Sequence, residues 1–197
     1  MATAATLLPT RVMSELLWRP SGRARSLVLV VAGSIALALS AKFSVPSWPV
    51  PMTMQSLVVV LIGVAYGSRL AGATVLAYLG EGLIGLPVFA GASAGPLYMM
   101  GPTGGYLLGF LLAAVVTGWL AERRWDRSPA LAAAALTIGH VVLFVPGVIW
   151  LAVLIGWPKA VALGVTPFIA GTVVKIALGT ALIVGSWSAI ERRASAR

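Results

Sequence analysis

Few side chains in this chain can do chemistry, and they are easily enumerated. Lys175 closes the stretch Pro167-Phe-Ile-Ala-Gly-Thr-Val-Val-Lys175, inside an apolar run. Counted from Pro167, it lies about 12 Å along a helix rising 1.5 Å per residue. An ammonium at that depth is costly unless paired, so it marks a ligand or ion site. Its ordinary counterpart is a lysine snorkelling to the outer interface. Glu81, in Tyr78-Leu-Gly-Glu-Gly-Leu-Ile-Gly85, also lies within an apolar run. It suits charge balance for Lys175, a contact to a ligand N–H, or a place at the outer end of its helix. His140 is the single histidine, and the chain has no cysteine. With no acidic cluster beside it, His140 reads as a hydrogen-bonded residue packed among helices, and no metal site is expected. Asparagine is absent and Gln55 is the only glutamine. Carboxamide recognition of a ligand therefore falls to Gln55 or to the backbone.

The same inventory argues against catalysis. There is no H-E-x-x-H, no Walker lysine motif and no nucleophile elbow. Gly80-x-Gly82-x-x-Gly85 matches the dinucleotide fingerprint in letters only, because no βαβ unit surrounds it and no acidic residue follows about 20 positions on. A chain so equipped is expected not to be an enzyme, to bind no cofactor and not to hydrolyse ATP; any energy it uses comes from partners or an ion gradient.

The elements that must position these residues follow from composition. Of 197 residues, 59% are hydrophobic and 10% charged, against roughly 25% charged in soluble domains. The class is an all-α integral membrane protein. Apolar runs near 26–43, 52–67, 70–87, 104–121, 130–155 and 167–188 lay out six transmembrane helices, each judged against the roughly 17–25 residues a span needs. The second run is short and is read as beginning at Pro49 and Pro51, since proline is tolerated in a first helical turn. Residues 157–166 suit a short interfacial helix. Between the third and fourth helices lies a glycine-rich extracytoplasmic loop, within the segment Gly85 to Phe110. Irregular backbone at membrane depth survives only where it is buried in protein or lines a cavity, so this loop is a candidate pocket wall. Tyr78, Phe89, Tyr98 and Tyr106 surround it, and Thr53 and Gln55 sit at the start of the second helix, where they cap the helix or face a ligand.

Charge sets the orientation. All eleven arginines fall on one side of a six-span layout, whereas Lys42 and Lys159 fall on the other and Lys175 within the sixth span. Positive charge marks the cytoplasmic side. Both termini are thus expected in the cytoplasm: a basic segment 1–25, a six-helix domain 26–188 and a basic tail 189–197 in the inner (plasma) membrane. The formal charge of +9 is a topology signal with an attraction to anionic lipid, not a nucleic-acid patch. The basic start, the apolar Leu27–Leu39 run and the small residues after it mimic a signal peptide. An uncleaved first helix keeps the charge asymmetry. Small residues at Ala32, Ala36 and Ser40, at Gly63 and Gly67, and at Gly105, Gly109 and Ala113 mark close helix contacts, those of the first helix within the bundle or against another subunit.

Five stretches in order carry a family resemblance: Val50-Pro-Met-Thr-Met-Gln55, Tyr78-Leu-Gly-Glu-Gly-Leu-Ile-Gly-Leu-Pro-Val-Phe-Ala-Gly91, Gly101-Pro-Thr-Gly-Gly-Tyr106, Trp119-Leu-Ala-Glu-Arg-Arg-Trp-Asp-Arg127, and Pro167-Phe168 with Gly171 and Lys175. Over about Val45 to Leu182 the chain resembles the BioY family, substrate-binding (S) components of energy-coupling-factor (ECF) biotin transporters. The resemblance implies a six-helix protein that captures biotin from outside and docks on a membrane coupling (T) subunit driven by cytoplasmic ABC ATPases, which hydrolyse the ATP. It implies a substrate site of Lys175, Thr172, Gly171, Gln55, Thr53, Glu81, Phe89, Tyr98, Thr103 and Tyr106, and a partner contact at Ala32, Ala36 and Ser40. One position departs. The family pattern Gly-Asp-x-x-Lys stands here as Gly171-Thr-Val-Val-Lys175, and threonine cannot neutralise a lysine. Either Lys175 keeps its charge for an anionic ligand group or Glu81 compensates. The competing readings are an S component for thiamine or riboflavin, an intramembrane enzyme using Glu81, His140 and Lys175, and a scaffold subunit without a small ligand.

Overall fold

A computed structural model describes residues 12, 13 and 22–195. Runs of Leu, Val, Ala and Ile with few polar breaks satisfy their backbone internally as helix, as an apolar solvent demands. In chain order these are α1 (Arg23–Ser40), α2 (Gln55–Tyr66), α3 (Ser68–Leu83), α4 (Pro96–Met100), α5 (Gly104–Glu122), α6 (Pro129–Ile155), α7 (Trp157–Gly164) and α8 (Phe168–Ser195). Four of them, α1, α5, α6 and α8, are long and apolar enough to cross a membrane. The fold is all-helical apart from one small hairpin.

That hairpin corrects the expected start of the second helix. Pro46, Pro49 and Pro51 punctuate the segment and offer no N–H to a helical ladder. Residues Ser44–Val45 (β1) and Met52–Thr53 (β2) instead pair antiparallel, Ser44 opposite Thr53, and Met54 N–H donates to Phe43 O at 3.0 Å. Helix α2 begins only at Gln55 and holds 12 residues. The short α7 occupies the segment read as an extra helix before the last one.

The core forms where α5 packs on α6 and α2 on α5. Glycine makes the first of these contacts close. A Cβ on Gly105 would overlap Pro146 O, and one on Gly109 would overlap Leu143 O, both backbone atoms of α6. The small-residue spacing on α5 therefore faces another helix of the same chain, bringing backbones together as such spacing does. The stripe on α1 is split: Ala32 is exposed and Ala36 half-buried, while Ser40 is buried and its Oγ donates to Leu37 O at 2.8 Å. Ser40 turns inward because a spacing of four on a 3.6-residue turn drifts around the helix over two turns.

Between α3 and α5 the chain folds over the end of the bundle. Gly85, Gly91 and Gly95 have φ of 101°, 66° and 86°, left-handed values that glycine adopts without steric cost. Phe89, fully buried, lies against Gly82, where any Cβ would overlap its ring. Its ring meets Tyr78 edge-on at 5.5 Å and stacks on Tyr98 at 5.2 Å. Tyr78 Oη donates to Val88 O at 3.1 Å, and Lys42 Nζ donates to Pro87 O at 3.0 Å. The segment is thus pinned by side chains from both α3 and the turn after α1.

Candidate ligand cavity

Helical periodicity brings residues from distant segments to one cavity. On α8, Phe168, Thr172 and Lys175 recur at intervals of four and three and share a face; on α5, Tyr106, Leu107 and Phe110 do the same, with Thr103 at the cap. These join Gln55 and Ser56 of α2, Leu143 and Phe144 of α6, Val50, Pro51 and Thr53 of the hairpin, and Ala90 and Tyr98 of the overlying segment. Together they bound ≈ 530 Å³ of space unoccupied by atoms, the open mouth included. The lining is mostly aromatic and aliphatic with a few convergent polar groups, the composition of small-molecule sites.

The polar groups gather around Lys175, which is 8% exposed. Its Nζ donates to Thr53 O at 2.6 Å and to Ser56 Oγ at 2.9 Å. Both acceptors are neutral. An ammonium has three donors, so one remains for a ligand. Among the described residues, none that lines the cavity is acidic. Glu81 is occupied elsewhere: its Oε2 accepts from Ser34 Oγ of α1. Of the two alternatives at the Thr172 departure, compensation by Glu81 is therefore not the arrangement adopted.

Gln55 belongs to a network rather than pointing freely at the space. Its Nε2 donates to Tyr78 Oη at 2.5 Å, and its Oε1 accepts from Thr53 Oγ1 at 3.2 Å. Tyr106 Oη donates to Gly164 O at 2.9 Å, tying α7 to the cavity wall. The Tyr106 ring stands 6.0 Å from Phe144 and 6.5 Å from Phe168, and Phe144 and Phe168 are 5.8 Å apart. Such spacings are favourable for aromatic groups and define a three-ring wall. Burial pushes the Tyr98 phenol above its ordinary value, so it stays a neutral donor.

The starts of α2, α5 and α8 all meet this space, at Gln55, at Thr103 beside Gly104, and at Phe168. Helix N-termini carry partial positive charge. That of α2 lies beside Lys175, whose Nζ donates to Thr53 O and Ser56 Oγ, and together they make this end of the cavity attractive to electron-rich oxygen.

Of the residues singled out in the sequence, Lys175, Thr172, Gln55, Thr53, Tyr98, Thr103 and Tyr106 line the cavity. Phe89 stands behind it, stacked on Tyr98. Gly171 does not line it and sits against Met52, whose Sδ is 3.3 Å from where a Cβ would be. His140 is buried in α6 with Nδ1 against Leu136 O at 2.8 Å, as expected of a packed histidine. Ser56, Phe144 and Phe168 were missed. The periodicity linking Phe168 to Thr172 and Lys175 was available as a signal; nothing in the sequence pointed to Ser56 or Phe144, which reach the site only through packing of α2 and α6.

Comparison with known proteins gives a consistent result. A model of the BioY family matches residues 10–192. A probable biotin transporter BioY of Rickettsia prowazekii is 36% identical over 160 residues, covering 79% of this chain and 80% of the relative. One from Pyrococcus horikoshii is 39% identical over 158 residues, covering 80% and 92%. Among solved structures, the S-component for biotin from an ECF-type ABC transporter superposes with a TM-score of 0.73 at 24% identity, over 82% of this chain and 90% of that one; at that identity the likeness concerns the fold. With four helices fit to cross a bilayer, the chain is a multi-pass membrane protein. By the extent of the family match and by its relatives, the chain belongs to the BioY family.

Proposed function

We propose that this protein captures biotin in the cavity around Lys175 and acts as the S component of an ECF-type transporter. The observation that carries the reading is a buried lysine with two neutral acceptors at the polar end of an otherwise aromatic cavity. Biotin matches that polarity: one ureido carbonyl acceptor, two N–H donors, an apolar thiophane ring and valeryl chain, and a carboxylate. Lys175 donates its remaining N–H to one of the ligand's oxygens. Thr172 and Thr53 serve the ureido donors and acceptor, and the rings of Tyr106, Phe144 and Phe168 cover the apolar body. Gln55, Tyr98 and Thr103 complete the rim, and Phe89 supports Tyr98 from behind. Gly171 permits the close approach of Met52, and Glu81 fixes α1 to α3.

In this reading α2 and α3 complete a six-span bundle over residues 26–188, with the basic segments 1–25 and 189–197 in the cytoplasm and the covering loop outside the plasma membrane. The outward side of α1, at Ala32 and Ala36, meets the coupling subunit, and ABC ATPases on the cytoplasmic side supply the energy. The chain itself carries out no catalysis.

The test is titration calorimetry of the purified protein in detergent with biotin, thiamine and riboflavin. Tight one-to-one binding of biotin alone is expected. Binding of either other vitamin in its place would redirect the assignment, and a folded protein that binds none of them would end it.

A further inference from the structure

Besides the ligand cavity, the helices leave a second concavity, a groove between α6 and α8 that opens sideways. It goes beyond the capture reading and does not depend on which ligand fills the cavity. Its α6 wall runs from Thr137 through His140, Val141, Val145 and Val148 to Ile149, one helical face. The opposite wall is Ile169, Val173 and Ile176 of α8. Thr137 Oγ1 donates to Ala133 O at 2.8 Å and His140 Nδ1 meets Leu136 O, while the buried His140 Nε2 meets no hydrogen-bond partner among the described residues. The surface is apolar and open, with Val145 52% and Val173 61% exposed.

Its length and its mouth identify the occupant. The twelve steps from Thr137 to Ile149 span about 18 Å of helix axis, close to one leaflet of a hydrocarbon core about 30 Å thick. The end near Ile149 reaches Trp157 of α7, which lines the groove and is 60% exposed. An aromatic at the mouth of a leaflet-deep apolar groove matches the polar–apolar boundary of a phospholipid. We infer that the groove between α6 and α8 holds one acyl chain of a phospholipid, with its headgroup at the level of Trp157. Phe144 and Thr172 line both the groove and the ligand cavity, so this chain lies one side chain away from the ligand.

The full-length protein in phosphatidylcholine nanodiscs, doped with phosphatidylglycerol bearing a mid-chain diazirine, tests this without any vitamin present. After photolysis, peptide mapping by mass spectrometry should find several-fold more adducts at Val145, Ile169 and Val173 than at Val31 and Leu39 of α1, which are equally exposed at 53% and 59%. Val145→Trp, filling the groove from an exposed position, should bring labelling at Val173 down to the α1 level. Equal labelling of both faces would reduce the groove to ordinary lipid contact and overturn the inference. Absence of adducts from the groove while α1 is labelled would show that protein, a second copy included, covers it, and would overturn it too. Neither result bears on biotin capture in the neighbouring cavity.

Discussion

At the scale of single residues, the proposed biotin site turns on Lys175 and its two acceptors. Removing a charged donor leaves the ligand oxygen without a partner, and a hydrogen bond to a charged group is worth about 1.5–3 kcal/mol. Lys175→Ala should weaken biotin binding by roughly 10- to 150-fold, the factor that range corresponds to, measured by calorimetry on protein whose thermal transition is intact. Comparing biotin with its carboxamide identifies the oxygen: an equal loss for both in the variant assigns Lys175 to the ureido carbonyl, and a loss confined to biotin assigns it to the carboxylate. Ser56→Ala removes one acceptor at 2.9 Å and should cost less, about 1 kcal/mol or fivefold. An unchanged affinity in that variant would show that Thr53 O alone holds the ammonium.

At the scale of elements, the cavity depends on how closely α5 approaches α6. Gly109 stands against the Leu143 backbone, and a backbone atom cannot rotate aside as a side chain can. Gly109→Ala should therefore push the helices apart and destabilise the protein by about 1–3 kcal/mol, read as a lower midpoint of thermal unfolding in detergent. A second pin joins the turn after α5 to α8. Asp126, 2% exposed, accepts from Trp187 Nε1 at 2.8 Å, lies 3.5 Å from Arg127, and Arg127 covers the Trp187 ring at 3.4 Å. Burial raises the Asp126 pKa above its ordinary 3.8, with Arg127 and Trp187 opposing the shift. The folded state thus holds this proton more tightly than the unfolded state does. Stability from this group is present at pH below the ordinary value and is lost as pH rises through the raised one. Asp126→Asn cannot ionise, so its stability relative to wild type should improve as pH climbs through that window. A pH-independent difference between the two would contradict this.

At the scale of the whole molecule, topology is the decisive expectation. Fusions of a cytoplasm-active reporter to either end should be active, and fusions within residues 84–103 should be active only with a reporter that folds outside. A reporter at the C-terminus that reads outside would exclude the six-span arrangement. The helices α2 and α3, 12 and 16 residues long, are the ones whose crossing this tests.

What the sequence determined by itself was the class of protein and the inventory of possible chemistry. Long apolar runs specify helix because lipid offers no partner to the backbone, and a single lysine within such a run stands out against that background. The family pattern was legible because the five stretches that carry it stand in order along the chain. Tertiary structure alone decided who meets whom. Glu81 and Lys175 look like partners as opposite charges in apolar runs, yet α1 brings Ser34 to Glu81 while the hairpin and α2 bring Thr53 O and Ser56 to Lys175. Ser40 continues the spacing of Ala32 and Ala36 but turns into the bundle. Phe144 joins the cavity through α6, more than thirty residues from any other aromatic of its wall except Phe168. Periodicity assigns a residue to a face of its own helix; which neighbour that face meets is set by interhelical packing, where one glycine or one inserted hairpin shifts the contact, and no local pattern encodes it.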